Sequence, residues 1–158
     1  MSIGPQPRPI VIGIGNTERG DDGAGRLAAS LLRDALAGAV EVVELDGEAT
    51  AVLARLEGRS LAYLIDACVS GAEPGSFRRF AAHEAPLPQL GSDLSTHGFG
   101  LAAAVELART LGLLPARTFV YAIEGARFDV GSGPSAAVAE AARQVAAEIR
   151  AELKQILA

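Results

Sequence analysis

Ile10-Val11-Ile12-Gly13-Ile14-Gly15-Asn16-Thr17-Glu18-Arg19-Gly20-Asp21-Asp22-Gly23 is the stretch that decides the fold. Its first five residues form an apolar run of strand length, bounded by Pro9 and Gly15. A glycine-rich turn follows, and from about Asp21 the pattern changes to a helix, with Leu27, Leu31, Ala35 and Leu36 at helical spacing up to Gly38. A strand feeding a helix through such a turn is the opening of a crossover unit on a parallel sheet.

The rest of the chain repeats this alternation. Val40 to Leu45 reads as a second strand, Thr50 to Leu56 as a short helix stopped by Gly58, and Leu61 to Ala67 as a buried third strand. After a turn at Pro74-Gly75, Ser76 to Ala81 is short and partly charged, which suits an antiparallel edge strand. The stretch from His83 to Asp93 reads as a surface loop, and Gly98 to Leu111 as a helix with Leu101, Val105 and Ala108 on one face. Thr118 to Ile123 gives the last strand. Ser135 stands where it can cap a final helix running nearly to Ala158, with Val138, Val145, Ile149, Leu153 and Ile156 at roughly helical intervals. The expected fold is α/β: a three-layer α/β/α sandwich with one twisted, mostly parallel five-stranded sheet and an antiparallel edge strand. Residues 1–9 are expected to be a flexible lead-in, and 10–158 a single domain.

Composition narrows the function. The 158 residues are 49% hydrophobic, enough to bury a core, and the formal net charge of −5 comes without a Lys/Arg cluster. The attraction that drives binding to nucleic acid or anionic membranes is therefore missing. Cys68 is the only cysteine, so an internal disulfide and a multi-thiolate metal site are excluded, and a reducing, cytoplasmic setting is expected. The stretch Met1–Pro9 carries three prolines and no apolar run, so it reads as neither a signal peptide nor a membrane span.

A glycine-rich turn at a helix start ordinarily suggests phosphate binding. Here the third glycine of the dinucleotide pattern and the Lys-Ser/Thr of a P-loop are absent, and two aspartates stand at the helix start. Such a turn repels anions and attracts cations. Asp21 and Asp22 read equally as helix-start charges, one of them capping. Asp66, however, ends the apolar run Leu61 to Ile65, at the sheet edge where open α/β folds place ligands, and a carboxylate emerging there requires a partner. His97, at the expected start of the next helix, supplies an imidazole on the same rim. Two carboxylates and one imidazole make a divalent-metal set with open coordination positions, which can polarise a carbonyl or activate water.

Other residues are weaker candidates. Cys68 reads as packing, and His83 as a solvated surface histidine. Ser95 lacks the Gly-x-Ser-x-Gly elbow of a serine hydrolase. Glu44 and Asp46 end the second strand, where a dinucleotide-binding fold places its ribose-binding acid.

At these positions the sequence resembles the hydrogenase maturation proteases, nickel-dependent endopeptidases of peptidase family M52. Gly13-Ile14-Gly15-Asn16 through Gly20-Asp21-Asp22-Gly23-Ala24-Gly25 is similar to the family's opening signature. Asp46-Gly47 with Thr50 resembles its Asp-Gly-Gly-Thr segment, Ile65-Asp66-Ala67 its second acidic site, Pro74-Gly75 the turn after it, and Ser95-x-His97 its histidine site. The resemblance implies that Asp22, Asp66 and His97 contact nickel and form the catalytic site. It further implies that the nickel comes with the substrate, a hydrogenase large-subunit precursor from which a C-terminal extension is removed. No organic cofactor and a monomeric state are expected. Glu48-Ala49 departs from the family segment and is expected to alter the shape of that loop or the charge of the cleft rim. A non-catalytic metal-sensing chaperone and a nucleotide-acting hydrolase on the same fold are the rival readings.

Overall fold

A computed structural model describes residues 7–36, 38–88 and 100–158. Strand β1 (Ile10–Ile14) is followed by a 3-10 turn (Gly20–Gly23) and helix α1 (Ala24–Ala35). Strand β2 (Glu41–Leu45), helix α2 (Ala49–Leu56), β3 (Leu61–Cys68) and β4 (Phe77–Ala81) come next, then α3 (Gly100–Thr110), β5 (Arg117–Glu124) and α4 (Ala136–Ile156). The sheet order is β2-β1-β3-β5-β4; all neighbouring pairs are parallel except β4 with β5. The expected five-stranded, mostly parallel sheet with one antiparallel edge is therefore what the chain forms.

Side-chain alternation sorts the strands onto two cores. Val11, Leu61, Tyr63, Ile65, Phe119, Tyr121 and Ile123 pack with α1 and α4, whereas Ile10, Ile12, Ile14, Ala62, Leu64 and Val120 pack with α2 and α3. Every residue of β1 is buried, as a central parallel strand covered on both faces requires. Helix α4 contributes Val138, Val145, Ile149 and Leu153, the stripe expected from its periodicity, each side chain worth about 1.5–3 kcal/mol on burial. Ser135 is the residue before α4, but its side chain makes no capping bond to the helix, contrary to expectation.

Helix α1 follows its leucine spacing only in part: Leu27 and Leu36 lie partly buried against the core. Leu31 is exposed, while Ala24, Gly25, Ala28, Ala29 and Leu32 face inward. The reason is distance: a Cβ on Gly25 would lie 2.2 Å from the Ile65 carbonyl oxygen and 2.6 Å from that of Ile14. A Cβ on Gly13 would in turn meet the Gly25 carbonyl oxygen at 2.4 Å. At Gly25 the helix rests on the backbones of β1 and β3, and only a small residue fits there. This contact sets the height of the preceding turn relative to the end of β3.

Residues before β1 also have partners. The Pro9 carbonyl accepts the Glu41 N–H at 2.9 Å, and the Arg8 carbonyl accepts from the Arg59 guanidinium at 2.7 Å.

Candidate functional site

Three turns meet at the C-terminal edge of the parallel strands: residues 15–23 after β1, residues 69–76 after β3, and residues 125–135 after β5. The first turn is closed by hydrogen bonds within itself and to neighbouring segments. The Gly15 N–H donates to Leu45, Asn16 N–H to Asp22 Oδ2 (3.1 Å), Glu18 N–H to Asn16 Oδ1 (2.9 Å) and Arg19 N–H to the Asn16 carbonyl. Gly20, Asp21 and Asp22 donate to Ser132, Arg127 and Arg19. Donors already committed in this way cannot form a phosphate cradle, which requires them to point at the ligand. Gly15 is required at its position: its φ is +141° and a Cβ would overlap the Asp22 carbonyl oxygen.

The two adjacent aspartates separate in role. Asp21 is fully buried, and its carboxylate accepts the backbone N–H groups of Ala126 (2.8 Å), Arg127 (2.9 Å) and Ser135 (2.7 Å). Burial pushes its pKa up, but these backbone donors outweigh that and hold the carboxyl below the ordinary range. Asp21 therefore ties the first turn to the segment after β5 and to the start of α4, and its carboxylate does not cap the helix that follows it. Asp22 is also buried, and its Oδ2 accepts from Asn16.

Asp66 lies on β3, half-buried, with its Oδ1 accepting the N–H of Ala67 at 2.8 Å. It continues the Ala62–Leu64 face, against which α3 packs. The 3-10 turn carrying Asp22 packs on β3, and α1 touches down on Ile65, the residue before Asp66. The fold thus sets Asp22 and Asp66 at neighbouring strand ends on one edge of the sheet. His97 and Ser95 lie outside the described residues. Among the described residues, no three His, Cys, Asp or Glu side chains gather into a group able to hold a metal ion.

Other candidates resolve differently. Glu44 pairs with Arg33 at 2.7 Å and Arg26 at 3.3 Å, bracing α1 against β2; Arg26 also reaches the Gly15 carbonyl at 3.3 Å. Asp46 accepts the N–H of Glu48 at 3.0 Å. His83 is not a solvated surface histidine. Its Nδ1 accepts the N–H of Thr118 at 3.1 Å and its ring stands edge-on to Phe119, extending the β4–β5 pairing past the last residue of β4. Glu48 is the N-cap of α2, its carboxylate accepting from the N–H groups of Thr50 and Ala51. These bonds, with the Thr50 hydroxyl foremost, hold its pKa down. The departure from the family segment thus supplies a helix cap.

Glu124 escaped the sequence reading. It ends β5 in register with Cys68 and is 3% exposed. Its carboxylate accepts the Ser70 N–H and hydroxyl, and Oε1 lies 3.8 Å from Cys68 Sγ. Burial first, and then the Glu124 charge, push the Cys68 thiol up to about 11. The signal was present: a charged residue closing a buried strand, the same cue that singled out Asp66.

The model of a family described as hydrogenase maturation protease matches residues 26–152. Among solved structures, the NiFe hydrogenase maturation protease HycI from Thermococcus kodakarensis KOD1 is 26% identical with a TM-score of 0.68, covering 93% of this chain and 92% of that one. The hydrogenase maturating endopeptidase HybD from E. coli is 23% identical with a TM-score of 0.73, covering 94% and 93%. A solution structure of an endopeptidase from Escherichia coli gives a TM-score of 0.79 at 21% identity, covering the same two shares. At those lower identities the likeness is one of fold. No curated protein sequence matches the chain.

Proposed function

The chain belongs to the hydrogenase maturation proteases, a family of peptidases, and from that premise we propose that it removes a C-terminal extension from the nickel-loaded precursor of a hydrogenase large subunit in the cytoplasm. Nickel is cargo in this reading, delivered by the precursor and contacted by Asp22, Asp66 and His97. Water adds across the scissile peptide bond, its hydroxyl going to the carbonyl carbon and its proton to the departing amine.

The observation that carries the assignment is the division of labour between adjacent aspartates. Asp21 is committed to three backbone donors, so Asp22 is the member of the pair assigned to the metal. Asp22 and Asp66 supply hard oxygen donors from two neighbouring strand ends, and His97 supplies the nitrogen that such a set needs for nickel. Two carboxylates and one imidazole bind a divalent ion modestly, which suits inspection of a metal already held by another protein. The closed turn after β1 weighs against a nucleotide substrate.

The test incubates purified nickel-loaded precursor with wild type, Asp22→Asn, Asp66→Ala and His97→Ala, and follows the precursor's mass. Wild type should shorten it, while each variant should fold normally and process it about a hundredfold more slowly or not at all. Full processing by Asp66→Ala and His97→Ala would overturn the assignment.

A further inference from the structure

Glu124 closes β5 and is bound to both ends of the chain that connects β3 to β4. Its carboxylate takes the Ser70 N–H at 2.8 Å on Oε2 and 3.2 Å on Oε1, and also accepts the Ser70 hydroxyl. Its backbone carbonyl accepts the Gly75 N–H at 2.9 Å, and its N–H donates to Ser76 at 2.9 Å. The next residue, Gly125, donates to the Cys68 carbonyl at 3.0 Å. Gly125 is itself packed so tightly on Asp21 that a Cβ there would lie 2.8 Å from the Asp21 Cβ.

A carboxylate buried to this degree is a costly way to fill space, and an apolar side chain would pack the position more cheaply. What the carboxylate adds is two acceptor oxygens aimed at one serine. Ser70 stands where β3 leaves the sheet, and strand ends without such a partner fray. Asp66 and Cys68 lie on the same face of β3, opposite Ala122 and Glu124 of β5. We infer that Glu124 is a positioning residue for the peptidase reaction: through Ser70 it fixes the exit of β3 and with it the place at which Asp66 is presented. Through Gly125, the same segment sets that exit against the turn holding Asp22. This rests on the assignment of Asp66 above.

The experiment uses the full chain with Glu124→Ala, Glu124→Gln and Ser70→Ala, and two independent readings. One is the side-chain carboxyl carbon resonance of Asp66; the other is kcat and KM for processing of the nickel-loaded precursor. Glu124→Ala should broaden or split the Asp66 resonance and lower kcat about tenfold or more, with KM changed by less than about twofold. Glu124→Gln keeps a carbonyl acceptor for Ser70 and should recover most of both. An undisturbed Asp66 resonance in Glu124→Ala would overturn the inference. So would an equal kcat loss in Gln and Ala variants, which would place the Glu124 charge against the substrate. If Glu124→Ala does not fold, Ser70→Ala removes the hydroxyl bond with less change of volume and should reproduce part of the kcat loss; wild-type kcat with an undisturbed resonance would again overturn the inference. A wild type that leaves the precursor intact counts against the assigned function, while the Asp66 resonance still decides whether Glu124 positions that residue.

Discussion

The carboxylate of Asp21 accepts the backbone N–H of Ser135 at 2.7 Å across a separation of 114 residues. Its other oxygen takes the N–H groups of Ala126 and Arg127. Removing the carboxylate leaves three donors without their acceptor, at about 1 kcal/mol or more each. Asp21→Ala should therefore lower the unfolding free energy by about 3 kcal/mol in urea titration. A loss no larger than that of Asp22→Asn would refute the division of roles between the pair.

The same carboxyl predicts a pH dependence. Its folded pKa lies below the ordinary value of 3.8, so in acid the unfolded state takes up this proton before the folded state does. The stabilisation is complete above about pH 5 and is lost as the pH falls through the folded pKa. The stability difference between wild type and Asp21→Asn should narrow as the pH is lowered from about 5 towards 3. A difference that stays constant over that range would mean that the charge of Asp21 contributes nothing.

Gly25→Ala places a methyl 2.2 Å from one backbone oxygen and 2.6 Å from another. The roughly 1 kcal/mol of helix propensity gained by alanine is small against the shift of α1 that this forces. The expected net loss is about 2–3 kcal/mol by chemical denaturation, together with slower processing, because α1 carries the turn of Asp22. Gly133→Ala, where a Cβ meets nothing within 4 Å, should leave stability within about 0.5 kcal/mol. Equal behaviour of the two variants would remove the close-approach argument.

Periodicity made the fold legible because parallel strand segments buried on both faces, such as β1 and residues 61–65 of β3, must be apolar. Strand-end position made Asp66 legible for the same reason: charge stands out against Leu61 to Ile65. The choice between Asp21 and Asp22 was not legible, since it depends on backbone donors more than a hundred residues away. The buried face of α1 was legible in part: Leu27 and Leu36 pack on the core, but spacing favours large apolar residues and the close approach at Gly25 admits only a small one. His83 was misread because its partners, Thr118 and Phe119, come from a strand far along the chain. Glu48 was read as a disturbance of the cleft, whereas its carboxylate is spent on the two N–H groups that open α2.

The clasp around Asp21 also orders events in time. Asp22 and Asp66 are both made in the first half of the chain, yet the donors that fix the turn carrying Asp22, through Asp21, come from Ala126, Arg127 and Ser135. During synthesis the carboxylates leave the ribosome well before these anchors do, and contacts of such long sequence separation close late. A nascent chain therefore carries the acidic pair without the frame that holds it. The turn carrying Asp22 reaches its final place only when β5 has joined the sheet and α4 has docked.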